Sequence, residues 1–199
     1  DLRIQQSDFF FPKYVETLKE RVGQKIDDLL DNMERQGPEV DFAKLFSTEL
    51  PMFTLCEMLG GDEADRPDII KWMHYLELAP QFLTHPFRMC MAEPMFLFRF
   101  NQMLEDMFNY GERVMADRIK NPRQDLLTVI ANATLDGKPL SQNYLDGSWL
   151  LIIFAGNDTT RNSLSGTIRL LTEFQDQRKM VLDDPSLIDR MSHESLRMT

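Results

Sequence analysis

The sequence predicts an all-α fold, and three observations support that prediction. Apolar residues recur at three- and four-residue spacing through almost the whole chain of 199 residues, as they do on amphipathic helices. Gly, Pro and Asn positions, which end helices, separate these periodic segments. The sequence contains no convincing strand pattern, no internal repeat and no low-complexity segment. Hydrophobic residues make up 43% of the chain, so a real core is possible.

Five helices are expected before the turn at 135–139. The apolar pattern places them at about 12–36, 42–59, 67–78, 94–119 and 125–133. Pro12 suits the first turn of the first of these helices, because its missing N–H would have no partner there. Their ends are marked by Gly37-Pro38, Gly60-Gly61 and Asn121-Pro122.

A much longer helix is predicted after the turn at 135–139. Ser141 offers an N-cap, and the periodicity continues to about Glu173. Roughly 33 residues at about 1.5 Å per residue give a length of about 50 Å, so this helix crosses the whole domain. Asp184-Pro185 breaks the pattern before a last helix that starts near Leu187.

The long helix contains a polar interruption. Residues 149–154 are apolar and predict burial, whereas residues 156–160 are all mediocre or poor helix formers. The helical pattern resumes at Leu164, and such a local conflict is typical of functional sites. The residues on one face of the helix there form a stripe of mostly small side chains that lets a flat group approach the backbone: Ile152, Ala155, Gly156, Thr159 and Ser163. From the spacing alone, the polar residues could equally cap a new helix after a buried strand.

Two motifs give this chain a resemblance to a known family. Residues 155–160, Ala-Gly-Asn-Asp-Thr-Thr, resemble the A/G-G-x-D/E-T-T/S motif in the long central helix of the cytochrome P450 family. Residues 194–197, Glu-Ser-Leu-Arg, resemble the E-x-x-R of a later helix in the same family. A Glu and an Arg three residues apart are common on any helix, so the weight lies in the order and spacing of the two motifs. Weaker agreement at 10–12 and 56–60 extends the resemblance over nearly the whole chain.

The resemblance implies a fold and a set of site residues. The fold would be the middle helices of a cytochrome P450, including the oxygen-groove helix, without most of its small β-sheet. Asp158 and Thr159 would be the catalytic pair that supplies protons in the oxygen-binding groove. The residues that contact the heme would be Ala155, Gly156, Thr159 and Ser163. Glu194 and Arg197 would form a structural ion pair in a buried network near the heme.

The resemblance also implies an activity, a cofactor and partners. The parent protein would be a monooxygenase with heme b, inserting one oxygen atom from dioxygen into an apolar organic substrate. Electrons would come from NAD(P)H through a reductase and a ferredoxin-type donor.

The family's heme-ligand loop, F-x-x-G-x-x-x-C-x-G, is expected beyond Thr199, and its W/H-x-x-x-R helix before Asp1. Residues 1–199 are therefore interpreted as one partial domain, truncated at both ends and inactive on its own. Cys56 and Cys90 lack a Gly-rich loop, so both are expected to be structural rather than ligands of the iron.

Composition argues against several classes of partner. Lysine and arginine total 22 against 32 aspartates and glutamates, which gives a net charge of −10 and disfavours nucleic acid. The longest clean apolar run, at 149–155, is too short to span a membrane. Two cysteines without metal or disulfide spacing favour a reducing, cytoplasmic setting.

Two other functions are weighed against the monooxygenase. Asp27, Asp28 and Asp31 match the D-D-x-x-D motif of all-α terpene synthases, whose carboxylates project into a bundle core and bind magnesium. The companion motif of that class would start at Asn157 but fails at Arg161 and Ser165, so a solvated helix face is the preferred interpretation. The second alternative is an acidic helical interaction module without chemistry, and the downstream sequence would decide between it and the monooxygenase.

Overall fold

The computed structural model describes residues 2–61 and 63–199. The α-helices of those residues are α1 (Leu2–Gln6), α2 (Pro12–Gln36), α3 (Glu49–Leu59), α4 (Arg66–Thr84), α5 (Pro86–Ala92), α6 (Phe96–Lys120), α7 (Leu126–Ala131), α8 (Gln142–Glu173), α9 (Gln175–Asp183) and α10 (Ile188–Met198). Short 3-10 segments lie at Ser7–Phe10, Glu63–Asp65 and Pro185–Leu187, and a π-helical segment lies at Ala43–Ser47. Two short strands, β1 (Thr134–Leu135) and β2 (Lys138–Pro139), complete the described structure. The predicted all-α class is confirmed.

Two of the predicted helices differ from the observed ones. The helix expected at about 42–59 is divided into the π-helical segment and α3, because the Thr48 N–H bonds to the carbonyl of Ala43, five residues earlier. The helix expected to end near residue 78 continues to Thr84 as α4 and includes Pro80. The Thr84 hydroxyl donates to the Pro80 carbonyl at 2.9 Å, so this carbonyl near the end of α4 keeps a partner.

The turn predicted at 135–139 is a tight β-hairpin. β1 and β2 pair antiparallel, with Thr134 opposite Pro139. The two turn residues, Asp136 and Gly137, have φ values of 53° and 74°, which fit the twist of a two-residue hairpin. Gln5 of α1 bonds to both backbone groups of Thr134, at 2.8 and 3.0 Å, and so ties α1 to the hairpin.

The core lies around the N-terminal half of α8, where α3, α4, α6 and α7 pack against it. Leu145, Trp149 and Ile153, spaced one turn apart, are buried in this core. The indole N–H of Trp149 donates to the Met107 carbonyl at 3.0 Å, so its polar group is satisfied. A Cβ on Gly111 would lie 2.7 Å from Trp149 Cδ1, so α6 and α8 approach this closely only because residue 111 has no side chain.

A buried ion pair joins α3, α6 and α7. The Arg118 Nε donates to Asp125 at 2.6 Å, and its Nη2 donates to the Gly60 carbonyl at 2.8 Å. The other carboxylate oxygen of Asp125 caps α7 by accepting from the Thr128 N–H at 2.8 Å. Each charged group therefore has its partners inside the protein, which a buried pair needs in order to be tolerated.

The C-terminal helices cover little of α8. α10 packs against α8, and its end comes so close that a Cβ on Gly166 would clash with the Thr199 side chain. The opposite face of α8, around residues 151–162, is largely open to solvent. Among the described helices, none combines the length and apolar content that a membrane-spanning segment requires.

Candidate functional site on the central helix

The polar interruption lies within one continuous helix. α8 runs from Gln142 to Glu173 without a break, so the alternative of a cap that follows a buried strand is wrong. Ile153 and Asn157 face the core and are buried, whereas Ala155 and Thr159 are exposed. The interruption therefore presents small and polar side chains on the open face and keeps the core face packed.

The hydroxyls of the open face bond to the helix itself. The Thr159 Oγ1 donates to the carbonyl of Ala155 at 3.0 Å, and the Ser163 Oγ donates to the carbonyl of Thr159 at 2.9 Å. This bonding to the preceding turn explains how poor helix formers are accommodated in the middle of α8. It also uses the proton of each hydroxyl, so the lone pairs of the two oxygens are left to accept hydrogen bonds.

Asp158 belongs to a charged network that the sequence did not reveal. Its Oδ1 accepts from Asn162 Nδ2 and from Arg161 Nη2, both at 3.1 Å. The other terminal nitrogen of Arg161 lies 2.7 Å from Glu77 Oε1 on α4. The spacing of Asp158 and Arg161, three residues apart on a helix, was a signal that could have been used. Glu77 lies on a different helix, so no local pattern connects it to the site.

An apolar groove runs beside the open face, between α2, α3 and α8. Its volume is about 580 Å³, and Ala155 and Gly156 line it on the side of α8. A Cβ on Gly156 would lie 3.2 Å from Leu55 Cδ1 of α3, so the glycine allows close packing at this point. Thr159 and Ser163 are not among the lining residues, so the structure divides the four predicted heme-contact residues between the groove and the rest of the open face.

Asn157 has an unusual environment. The side chain is almost fully buried on the core face of α8, and its Oδ1 has no hydrogen-bond partner among the described residues. Burying an unpaired amide oxygen costs about 1–3 kcal/mol. The residue therefore points away from the open face, and its polarity does not alter the surface at Ala155 and Thr159.

The similarity of the chain to known proteins decides how this site is interpreted. No family model matches it. Linalool 8-monooxygenase of Pseudomonas putida is 28% identical over 188 residues, which cover 94% of this chain and 43% of that protein. Cytochrome P450 107B1 of Saccharopolyspora erythraea is 30% identical over 188 residues, covering 94% of this chain and 42% of the relative. The relatives of this chain are cytochromes P450.

The solved structures agree with the sequence relatives. The cytochrome P450 PksS of Bacillus subtilis superposes with a TM-score of 0.82 at 26% identity, covering 98% of this chain and 47% of that one. The cytochrome P450 CYP268A2 of Mycobacterium marinum, in complex with pseudoionone, gives a TM-score of 0.78 at 27% identity, covering 93% and 43%. The resemblance noted from the sequence and the predicted fold are confirmed. The chain spans less than half the length of the curated relatives that it matches.

One face of a heme fits the open face of α8. Ala155, Gly156 and Thr159 leave an exposed, shallow surface next to the exposed Leu151, so a flat and mostly apolar ring can lie against the helix. The Thr159 oxygen gives this surface a hydrogen-bond acceptor.

Cys56 does not fit the role of heme ligand. It is 1% exposed in the core, and burial raises the pKa of its thiol to about 11, whereas a ligand of heme iron is a thiolate. The structure thus supports a structural role for Cys56, and the side chain of Cys90 lies outside the described residues. The axial cysteine expected beyond Thr199 stays a prediction.

Glu194 and Arg197 form an ion pair in α10. Two hydrogen bonds join the guanidinium to the carboxylate, at 2.9 Å from Nε and 2.5 Å from Nη2. These bonds from Arg197 hold the pKa of the Glu194 carboxyl below its usual value. The side chains are 56% and 69% exposed, so no part of the described chain buries the pair. The predicted position in a buried network near the heme is untested and stays a prediction.

The terpene synthase alternative is not supported by geometry. Asp27, Asp28 and Asp31 lie exposed on α2, whereas the diphosphate motif of that class needs carboxylates that project into the bundle core. Among the side chains that the structure describes, no group of His, Cys, Asp or Glu is arranged to hold a metal ion.

Proposed function

We propose that this chain is the oxygen-groove portion of a heme-dependent monooxygenase, which inserts one oxygen atom from dioxygen into an apolar organic substrate. The observation that carries the proposal is the presence, at neighbouring positions of the unbroken helix α8, of an ordered Thr159 hydroxyl on the open face and a partly exposed Asp158 carboxylate. We expect the active protein to be cytoplasmic. Its electrons would come from NAD(P)H through a ferredoxin-type donor.

Ala155, Gly156, Thr159 and Ser163 are the residues that would hold heme b against α8. The bound heme would supply the activation of dioxygen, which amino-acid side chains cannot perform. The role of the small residues is to let the ring approach the helix backbone without a steric clash. The apolar groove beside them would exclude bulk water from the reacting centre.

Thr159 would hold an ordered water on the open face of α8, beside the apolar groove. Monooxygenation consumes dioxygen, two electrons and two protons and releases one water for each oxygen atom inserted, so both protons must reach a site from which bulk water is excluded. Because the hydroxyl proton of Thr159 is bonded to the Ala155 carbonyl, the oxygen acts as an acceptor towards this water. The water is then oriented so that its second proton points into the groove.

Asp158 would replace the protons that the water delivers. Its side chain is 36% exposed, so the carboxyl group lies at the boundary between solvent and the open face. A carboxyl group in this position exchanges protons with solvent and acts as a general acid through one water. Asn162 and Arg161 hold the carboxylate at that boundary through the two bonds to its Oδ1.

The choice of an apolar substrate rests on the surface and on the relatives. Exposed Phe, Leu and Met side chains are concentrated between α4 and α6, with Leu83, Phe87 and Phe98 among them. Relatives of the chain are named linalool 8-monooxygenase and steroid C26-monooxygenase. The exposed apolar side chains and the names of these relatives both indicate an organic substrate made mostly of hydrocarbon.

The experiment that tests this function uses the whole protein. Its reduced form with carbon monoxide should give the absorption band for which the family is named. Turnover under ¹⁸O-labelled dioxygen should place one labelled atom in the product and the other in water. A protein without bound heme would favour the alternative of a helical interaction module, and unlabelled product would exclude a monooxygenase.

A further inference from the structure

Arg161 divides its guanidinium between carboxylates on two helices. One terminal nitrogen lies 3.1 Å from Asp158 Oδ1 on α8, and the other lies 2.7 Å from Glu77 Oε1 on α4. The side chains of Arg161, Glu77 and Asp158 are 24%, 22% and 36% exposed, so the three groups are partly shielded from solvent. Arg161 is therefore the common partner of the two acids.

The charges of this cluster do not balance. One guanidinium faces two carboxylates, so neither acid has the cation to itself. The shorter of the two Arg161 contacts is the one to Glu77. Asp158 also accepts a hydrogen bond from the neutral amide of Asn162. If either carboxylate were removed, the guanidinium would be free to pair fully with the other, as expected for groups in one network.

We propose that Arg161 is a positioning residue for the acid Asp158, and that Glu77 keeps this acid available by drawing the guanidinium towards α4. The inference rests on the proposed function, in which Asp158 replaces the protons that the water on the open face delivers. A guanidinium bound to both oxygens of Asp158 would hold the carboxylate charged and fixed. The shared geometry leaves the second oxygen, Oδ2, without a bond to Arg161 and able to take up a proton.

Kinetics of the whole protein give the first test. Glu77→Gln keeps the shape of the side chain but releases Arg161 to Asp158, so kcat should fall about threefold and the solvent isotope effect should rise. KM for the organic substrate should stay unchanged, since proton supply and not binding is altered. Glu173→Gln is the matched control, because it removes the carboxylate partner of another α8 arginine, Arg169, far along the helix.

A charge exchange separates positioning from simple attachment of α4 to α8. The double variant Glu77→Arg with Arg161→Glu restores an ion pair between the two helices, but it puts a second carboxylate next to Asp158. If Arg161 only attaches α8 to α4, this double variant should recover thermal stability, turnover and the normal solvent isotope effect. We expect thermal stability to recover while the solvent isotope effect stays abnormal. Recovery of stability, turnover and the isotope effect together would overturn the proposal.

Thermal unfolding tests whether Glu77 and Asp158 share Arg161, without a measurement of turnover. Glu77→Gln should lower Tm by about 2 °C more in an Asp158→Asn background than in the wild type, because Arg161 then belongs to Glu77 alone. Additive shifts would show that the guanidinium is not shared and would overturn the proposal. Failure of the proposed function would be seen as wild-type protein that forms no product, whereas failure of this inference alone would be seen as normal turnover in Glu77→Gln.

Discussion

The hydroxyl of Thr159 donates its proton to the carbonyl oxygen of Ala155, one turn earlier in α8, at 3.0 Å. The bond fixes the direction of the side chain and leaves only the oxygen lone pairs available on the open face of the helix. Ser163 repeats the arrangement one turn later, with the carbonyl of Thr159 as its acceptor. The polar interruption of the central helix is thus a set of ordered acceptors, which suits a site that must orient water.

Replacing Asp158 by Asn should slow turnover in the whole protein. An amide cannot release a proton at neutral pH, so kcat should fall by about 100-fold or more and the solvent isotope effect should rise. The ratio of product to oxygen consumed should change little, because Thr159 is intact. Asp146→Asn is the control, since Asp146 is a partly exposed acid of α8 that accepts from Gln142. Parental kcat in Asp158→Asn would remove the acid from the mechanism.

Alanine at two glycines should change stability in opposite directions, because only one of them lies where α6 packs closely on α8. Gly111→Ala places a Cβ against the indole of Trp149 and should destabilise the protein by about 1–3 kcal/mol. Gly23→Ala, inside α2 with no atom within 4 Å of the new Cβ, should stabilise it by about 0.5–1 kcal/mol. Chemical denaturation measures both free energies of unfolding. Equal effects at the two positions would contradict the close approach of α6 and α8.

Cys56 should make stability depend on pH in the alkaline range. Burial raises the pKa of its thiol to about 11 in the folded state, from 9.0 for the free group. The folded protein therefore retains a proton that the unfolded chain loses, and stability should fall as pH rises from about 9 to about 11, by about 2–3 kcal/mol. Cys56→Ala should flatten this part of the stability profile. An unchanged slope in the variant would show that the thiol is not the group responsible.

Arg197→Leu tests the structural role predicted for the ion pair in α10. If Glu194 and Arg197 join a buried network in the whole protein, the variant leaves a carboxylate unpaired at a cost of about 3–5 kcal/mol and should fail to incorporate heme. The ratio of heme absorbance to protein absorbance measures incorporation. Arg169→Leu removes an exposed arginine paired with Glu173 on α8 and should keep its heme. A stable, heme-loaded Arg197→Leu protein would reduce the pair to a surface contact.

Much of the fold could be predicted from local sequence. The ends of α8 follow from Ser141 and Glu173, although the Ser141 side chain makes no capping bond. The hairpin at 134–139 was predicted only as a turn, because strands of two residues are too short to show an alternating pattern. The end predicted for α4 near residue 78 was too early, because the helix continues through Pro80 to Thr84.

The candidate site was predictable only in part. A motif placed Asp158 and Thr159 at adjacent positions of one helix, and helical spacing put Thr159 on the same face as Ala155. The contact between Arg161 and Glu77 depends on how α4 packs against α8, and one sequence contains no signal for such a pair. The burial of Asn157 was missed for the same reason, because the core face is fixed by neighbouring helices.

The most direct test of the proposed mechanism is the fate of dioxygen in Thr159→Ala. Thr172→Ala is the matched control, because the Thr172 hydroxyl makes the same bond to the preceding turn, at 2.8 Å from the Ile168 carbonyl, outside the open face. Without the Thr159 oxygen the ordered water on the open face loses its orientation, so the variant should keep consuming NAD(P)H and dioxygen but release hydrogen peroxide in place of oxygenated substrate. Thr172→Ala should form product with the parental yield. Parental yield of product in Thr159→Ala as well would contradict the role of the open face of α8 in oxygen chemistry.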